Sequence, residues 1–361
     1  MLTTKVEGVR IAGIQCAVPK AVRRTDEWKE QFGEKAVEDF KSMVGVQEVH
    51  VADEGQTSSD LAFAAAEKLL TDMGVEREKI GCLVFVTQTP DYRIPATACV
   101  LHKRLDLSKD CIAFDINLGC SGYVYGLNVA AQLLVGSNSD YCLLLVGDTS
   151  NKGISPEDKS ACMLFGDSGA ATLLTKDGSA APISACFSTD GDGFKAIITP
   201  SGAFRNCGAS PDRVEWPIDG NVRSDYELYM NGTDVFSFTI SEVPRQMKRF
   251  MKELEAGPED YDCFVMHQAN RFILFQVAKK AKVPIDIMPI SMDRYGNTSV
   301  TSIPLTLCDL KPKGTDPLRV MMCGFGIGLS WGCVDALIDP QALKGIIETD
   351  EVFEGGAVSH D

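Results

Sequence analysis

The sequence lacks the residue patterns that mark several large protein classes. Its 13 cysteines occur singly, without any C-x-x-C pair, which argues against a zinc site and favours reduced thiols. No apolar run reaches the length that a membrane span requires, and the first residues do not resemble a secretory signal. We therefore expect a cytoplasmic protein without a metal site and without a membrane anchor.

Positive charge is also scarce. The formal net charge is −15 at pH 7, which argues against general nucleic-acid binding, because neutralising phosphates requires a basic surface. With 361 residues, of which 45% are hydrophobic and 24% charged, the chain can bury one large core or two ordinary ones. An acidic partner would need a local basic patch.

Apolar runs typical of buried strands alternate with segments that favour helices. This alternation predicts βαβ units around a largely parallel sheet. The order of elements begins again near residue 180, which predicts a duplicated α/β fold with halves at 1–180 and 181–340. Residues 191–220 form the only long predicted loop, a candidate cover for a site. The acidic, glycine-containing segment 341–361 is predicted to be a mobile tail.

Cys120 lies where a strand is predicted to turn sharply into a helix. An apolar run precedes it, Gly119 and Gly122 flank it, and residues 124–135 carry apolar side chains at helical spacing. The unpaired N–H groups at a helix N-terminus favour an anion, so a thiolate should form more easily here. The alternative is a small buried core cysteine, which is the ordinary role of a single cysteine.

Only four histidines could serve as a base for this thiol. His50 follows a short strand-like run and has no polar neighbours in the sequence, His102 lies in a predicted helix, where a satisfied histidine is the simpler interpretation, and His360 lies in the tail. His267 follows a buried strand, and ligands bind at the carboxyl ends of strands in α/β sheets. Asn297 lies in a Gly-Asn turn before a helix. Taken singly, a satisfied core histidine and a turn asparagine are the simpler interpretations.

Together, the motifs around these residues resemble those of the β-ketoacyl-ACP synthase III family of the thiolase superfamily. The matching motifs are Asp-Ile-Asn-x-x-Cys-Ser-Gly at Cys120, Phe-Gly-Asp at Phe165, His-Gln-Ala-Asn at His267, Tyr-Gly-Asn-Thr-Ser at Asn297 and Gly-Phe-Gly-x-Gly-Leu-Ser-Trp-Gly at 324–332. They occur in the family's order over nearly the whole chain. The resemblance implies a five-layered αβαβα fold with two mixed, largely parallel sheets, in a homodimer.

The resemblance also implies a reaction. Cys120 would take an acyl group from acyl-CoA or acyl-ACP, with the backbone N–H groups of Cys120 and Gly328 as the oxyanion hole. His267 and Asn297 would hydrogen-bond the thioester carbonyl of malonyl-ACP as it loses CO2. The resulting enolate would attack the acyl-cysteine and give a 3-oxoacyl-ACP. The family requires no metal or redox cofactor.

The implied macromolecular partner is an acyl carrier protein, which is acidic. A basic stripe falls at i, i+3, i+4 and i+7 of a predicted helix and therefore lies on one face. It comprises Arg245, Lys248, Arg249 and Lys252. By resemblance, Lys279 and Lys280 match docking positions, and Arg271 lies one place before a family arginine. The alternative is a solvated helix face without a partner.

Departures from the family pattern bear on the donor and the primer. Lys159 stands where the family has a CoA-contacting arginine, so the charge is kept but planar stacking is lost. Ile94 stands where a partner subunit often contributes phenylalanine to the base of the acyl pocket, and a smaller residue could admit a longer or branched primer. Phe165 is the other predicted pocket residue.

Two other functions are compatible with the motifs. A specialised relative could use the same Cys120 acyl intermediate with a β-keto acid, an amine or a hydroxyl acceptor, and the altered CoA-contacting positions favour this alternative. A non-catalytic scaffold is the other alternative, but Cys120, His267 and Asn297 are all present, which argues against it. The identity of the primer does not follow from the sequence.

Overall fold

The computed structural model describes residues 1–312 and 314–357. Its strands are β1 Leu2–Val6, β2 Val9–Pro19, β3 Val22–Arg24, β4 Glu48–His50, β5 Ile80–Val86, β6 Ile112–Ile116, β7 Tyr141–Asp148, β8 Ser168–Lys176, β9 Ile183–Thr189, β10 Ile197–Ile198, β11 Val214–Glu215, β12 Val222–Arg223, β13 Tyr229–Met230, β14 Cys263–Met266, β15 Leu318–Gly326, β16 Ser330–Ile338 and β17 Leu343–Thr349. Its α-helices are α1 Lys29–Phe32, α2 Glu34–Val44, α3 Ser58–Met73, α4 Thr97–Arg104, α5 Gly122–Gly136, α6 Gly232–Glu253, α7 Arg271–Ala281, α8 Met292–Tyr295 and α9 Ser302–Asp309.

The first large sheet has the strand order β17-β2-β8-β7-β5-β6. β5 runs parallel to β6 and β7, β17 runs parallel to β2, and β8 is antiparallel to both β2 and β7. β5 is almost wholly buried, as its continuous apolar sequence predicts for a strand covered on both faces.

The second large sheet has the order β1-β9-β16-β15-β14, with β14 parallel to β15 and the other pairs antiparallel. Its segment β9-β16-β15-β14 repeats the order and the relative directions of β2-β8-β7-β5 in the first sheet. This repeated topology supports the predicted duplication.

Helices cover both sheets and separate them. α3 and α4 pack on the outer face of the first sheet, α5 and α9 lie between the two sheets, and α6 contacts the outer face of the second sheet together with α7. Three apolar clusters fill the spaces between these layers. The predicted mixed α/β fold with five layers is confirmed.

α3 shows how closely the local sequence determines an element. The backbone N–H of Thr57 donates to the Asp60 carboxylate at 2.8 Å before the helix, and Gly74 ends it with a φ of 62°. A threonine before the helix, an acidic residue three places later and a glycine at the end are residue types that favour helix caps. Within residues 1–312 and 314–357, no helix has both the length and the apolar character needed to cross a membrane.

The segment after residue 340 corrects a prediction. The acidic, glycine-containing composition predicts a mobile tail at 341–361, but Leu343–Thr349 forms β17 and pairs with β2. The side chain of Gln56 donates to the carbonyl groups of Thr349 and Glu351, at 3.2 and 3.1 Å, and Arg104 forms an ion pair with Glu351. The hydrogen bonds between the β17 and β2 backbones hold this segment in the sheet despite its acidic composition. His360 and the rest of 358–361 lie outside the described residues.

The predicted long loop at 191–220 is also more structured than its composition suggests. It contains β11, which pairs with β12 just after it. Arg223 at the end of β12 is fully buried between the rings of Trp216 and Tyr229. The Arg223 guanidinium forms ion pairs of 2.7 Å with both Asp158 and Asp219. These contacts fix the segment to the body of the protein.

Candidate active site

Cys120 lies in the turn between β6 and α5, as predicted. The turn is tight, since the backbone N–H of Gly122 donates to the carbonyl of Gly119 at 2.6 Å. The Ser121 hydroxyl is hydrogen-bonded to that of Ser330 at 2.7 Å, which joins the turn to the second half of the chain. Only 7% of the Cys120 surface is exposed. The thiol therefore lies at the start of a helix that both sheets cover.

The end of β15 packs directly on the cysteine. A methyl group at Gly326 would lie 2.7 Å from Cys120 Cβ and 3.1 Å from Sγ, and one at Gly324 would lie 3.1 Å from the Cys120 carbonyl oxygen. Glycine is therefore required for this approach. The family resemblance implies Gly328, in the same motif, as an oxyanion-hole donor. Gly326 is the residue whose backbone approaches the sulfur, and the role of Gly328 stays a prediction.

The electrostatic surroundings of Cys120 correct the expectation of an easily formed thiolate. Burial, and to a smaller extent the charge of Asp148, raise the pKa of the thiol to about 12. Hydrogen bonds from the Ser299 side chain and from the Ile327 backbone act in the opposite direction. Desolvation outweighs the helix terminus in this closed site. Cys120 therefore carries a neutral thiol at physiological pH.

His267 directly follows β14, at the carboxyl end of that strand as predicted. Its backbone N–H donates to the carbonyl of Cys323 at 2.8 Å, and its Nδ1 is hydrogen-bonded to the Ser302 hydroxyl at 2.7 Å. Its ring meets that of Phe325 edge to face, at 5.4 Å between centroids. Burial lowers the pKa of His267 to about 3, so the ring is neutral at physiological pH. Within the described residues, Nε2 makes no side-chain hydrogen bond, so this nitrogen is available to a ligand.

Asn297 lies in the loop before α9, held by both halves of the chain. Its backbone N–H donates to the carbonyl of Leu164 at 2.9 Å, and its carbonyl accepts from Gly166 at 3.1 Å. This backbone pairing places the buried Phe165 beside Asn297. The side-chain oxygen of Asn297 accepts from the Ser299 backbone at 2.9 Å. The amide NH2 is therefore the part of the side chain left to donate to a substrate.

Sequence reasoning missed Ser299, which connects all three predicted site residues. Its φ of 48° is rare for a residue other than glycine. Its N–H holds Asn297, its carbonyl accepts from the Ser302 hydroxyl that contacts His267, and its side chain approaches Cys120. The Tyr-Gly-Asn-Thr-Ser motif contains Ser299, but nothing in the letters indicates the unusual backbone.

Several predicted residues lie apart from this cluster. Ile94 is 83% exposed on the surface, so it does not line the pocket of its own chain. Lys159 is exposed, with its backbone N–H bonded to Asn221, and Arg271 is half-buried against Gly45. The remaining docking candidates are exposed on the adjacent helices α6 and α7: Arg245, Lys248, Arg249, Lys252, Lys279 and Lys280.

Comparison with known proteins agrees with this architecture. Two profiles match, one described as 3-oxoacyl-[acyl-carrier-protein (ACP)] synthase III at residues 114–191 and one described as the C-terminal part of that enzyme at 251–336. A β-ketoacyl-[acyl-carrier-protein] synthase III of Caldanaerobacter subterraneus is 31% identical over 315 residues, covering 86% of this chain and 89% of the relative. One of Clostridium perfringens is 30% identical, covering 91% and 98%.

Solved structures give the same result. A 3-oxoacyl-(acyl-carrier protein) synthase from Burkholderia xenovorans superposes with a TM-score of 0.90 at 38% identity, covering 96% of this chain and 99% of that one. The 3-oxoacyl-(acyl carrier protein) synthase III of Pseudomonas aeruginosa superposes with a TM-score of 0.79 at 28% identity, covering 92% and 99%. The chain thus belongs to the 3-oxoacyl-(acyl-carrier-protein) synthase III family.

Proposed function

We propose that the protein joins an acyl primer to malonyl-ACP with loss of CO2, through an acyl intermediate on Cys120. The observation that supports this most directly is the convergence of Cys120, His267 and Asn297 at one buried place, linked through Ser299. Forming a covalent acyl-cysteine intermediate divides one difficult condensation into two easier steps.

Each group has a role in these two steps. In the first, Cys120 attacks the primer thioester, and the backbone N–H groups of Cys120 and Gly328 stabilise the oxyanion. In the second, His267 Nε2 and the amide of Asn297 bind the malonyl thioester carbonyl while CO2 leaves. An uncharged amide suits this task because it stabilises a developing enolate without holding a permanent charge in a buried site. The thioester activates its own carbonyl, so this chemistry needs no metal or redox cofactor.

The proposed carrier partner is supported by the surface of α6 and α7. The chain as a whole is acidic, yet the exposed face of α6 carries the basic stripe and α7 adds Lys279 and Lys280 beside it. A local positive surface would attract an acidic carrier protein despite the overall repulsion.

A homodimer is proposed from the edge of the first sheet. β6 has β5 on one side, and its other edge is open in the described chain. Ile112 in this strand is 53% exposed, and the rest of β6 is only half-buried. An apolar open edge favours pairing with a second copy. The exposed Ile94 would then be available to the neighbouring subunit, as the family resemblance implies.

Intact-protein mass spectrometry with a panel of acyl-CoA and acyl-ACP donors tests the proposal. We expect an acyl adduct on the wild-type protein and none on Cys120→Ala, and the preferred acyl group would identify the primer. Product analysis after adding malonyl-ACP should then show a 3-oxoacyl-ACP. An adduct without that product would favour the acyltransferase with another acceptor. Persistent labelling of Cys120→Ala would refute the assignment of the nucleophile.

A further inference from the structure

The Phe-Gly-Asp motif ends in a buried carboxyl group to which the proposed reaction gives no role. Asp167 is fully buried. Its Oδ1 accepts hydrogen bonds from the backbone and the side-chain N–H groups of Asn151, both at 3.1 Å, and its Oδ2 accepts one from the Ala52 backbone at 2.9 Å. The carboxyl group holds these two segments together, because moving either one would leave buried polar groups without partners.

Asn151 extends this contact to the backbone that pairs with Asn297. Its side-chain NH2 also donates to the Phe165 carbonyl at 2.9 Å. The flanking groups, the Leu164 carbonyl and the Gly166 N–H, are hydrogen-bonded to the Asn297 backbone at 2.9 and 3.1 Å. This short bridge is therefore held both by Asn151 and by Asn297. A shift of the Phe165 carbonyl would move Asn297 with it.

The Asp167 backbone reaches the same loop by a second path. Its N–H donates to the His50 carbonyl at 2.9 Å, and the His50 ring stacks on that of Tyr295, with 5.5 Å between centroids. Tyr295 lies two positions before Asn297. A methyl group at Gly166 would overlap the Tyr295 carbonyl, so the two segments pack without space between them. The loop that carries Asn297 cannot shift without breaking contacts on both paths.

We propose that Asp167 and Asn151 are positioning residues that act through Asn297 in the condensation step. The proposal rests on the proposed function, since it concerns the second step of that reaction. The side-chain oxygen of Asn297 accepts from Ser299, so the direction of its NH2 depends on where the loop backbone lies. A donor displaced by about 1 Å loses much of its effect on a developing charge. Cys120 lies in another loop, and its acylation does not depend on this alignment.

The test measures acylation of the nucleophile and 3-oxoacyl-ACP formation in the same quenched samples, for wild type and Asn151→Ala. This variant keeps the backbone bond to Asp167 and removes both side-chain bonds. We expect condensation to fall by about tenfold and acylation to stay within about twofold of wild type. Asn128→Ala is the matched control, because Asn128 is also half-buried and its side chain joins α5 to β1 by accepting from Thr4 at 2.7 Å. It should keep both wild-type rates.

A double-mutant comparison separates positioning from a general loss of structure. In the Asn297→Ala background, Asn151→Ala should slow condensation by less than about twofold, because the group that it positions is gone. A purely structural role would give the same loss in both backgrounds, or equal losses of acylation and condensation. Either result would overturn the proposal, and so would wild-type condensation in Asn151→Ala.

Asp167→Asn tests the other member with little change in volume. Its amide must turn an NH2 toward N–H donors that now face a carboxylate, so we expect a selective loss of condensation here too. Wild-type condensation in folded Asp167→Asn would contradict the role of Asp167. If this variant does not fold, the comparison of Asn151→Ala in the two backgrounds decides the proposal. Failure of the wild-type protein to form any 3-oxoacyl-ACP would instead refute the proposed function itself.

Discussion

The two halves of the chain share a strand order but contribute different chemistry. β7 in the first half and β15 in the second occupy equivalent places, and each ends beside the loop that precedes the other half's central helix. β15 ends in Gly326, which packs on Cys120, whereas β7 contacts the helical turn that begins at Ser299. The duplicated scaffold thus brings two equivalent loops together. One carries the proposed nucleophile Cys120 and the other carries the proposed hydrogen-bond donor Asn297.

The substitution with the largest expected effect, Asn297→Ala, tests whether these two loops have different roles in the reaction. Asn297→Ala should lower the condensation rate by about 10²- to 10³-fold, because one donor to the developing enolate is lost. Acylation of Cys120 should remain, since the first loop is intact. Product formation and acyl-enzyme mass, measured in the same quenched samples, check both expectations. Asn138→Ala, at an exposed site after α5, is the control. Parallel loss of acylation would mean that the loops do not divide the reaction.

A smaller change tests how tightly the second half packs on the first. Gly326→Ala places a methyl group where Cys120 already lies, so the thiol or β15 must move. We expect acylation to fall by about 10²-fold, with a loss of about 1–3 kcal/mol in the free energy of unfolding. Gly153→Ala, where a methyl group meets open space, is the matched control. Wild-type acylation in Gly326→Ala would show that the close approach is not required.

The residues of the candidate active site also show what the sequence could and could not predict. Strand-turn-helix patterns and strand ends suffice to locate Cys120 and His267, because both lie at boundaries that apolar periodicity reveals. Ser299 was missed because its importance comes from its backbone conformation and its hydrogen bonds to Asn297 and Ser302, which no local pattern records. The same limit explains β17, where pairing with β2 overrides an acidic composition. The direction of the Cys120 pKa shift likewise depends on burial, which only the assembled fold determines.

The buried histidine of the second half should give the protein a measurable pH dependence. Its pKa is about 3 in the folded protein and about 6.5 when unfolded. Between these values the unfolded state binds the extra proton, so the free energy of unfolding should fall by about 1.4 kcal/mol for each unit that the pH drops below 6.5. Above pH 6.5 His267 contributes no slope.

Urea unfolding of wild type and His267→Gln from pH 7 to pH 4 checks this expectation. The stability difference between the two proteins should shift toward the variant as the pH falls. Asp167, whose pKa burial raises to about 6, has the opposite slope, but it is common to both proteins and cancels. His102→Gln in the first half is the control. A difference that does not change with pH would mean that His267 is not buried in its neutral form.

The outer helices of the two halves differ in their exposed charges, and substitutions in these charges should have the smallest effect. α3 and α6 cover equivalent faces of the two sheets. Exposed Lys68 on α3 is paired with Asp72, and Arg245 on α6 is likewise paired with Glu242, but α6 also presents exposed Lys248, Arg249 and Lys252. Arg249→Glu should raise the KM for the carrier protein by about threefold to tenfold, as expected for an exposed charge. Lys68→Glu should leave it unchanged. Because CoA donors do not need the stripe, their acylation rate should be the same in both variants. An equal KM in Arg249→Glu and wild type would make the α6 stripe a solvated face, and the carrier would then have to dock elsewhere.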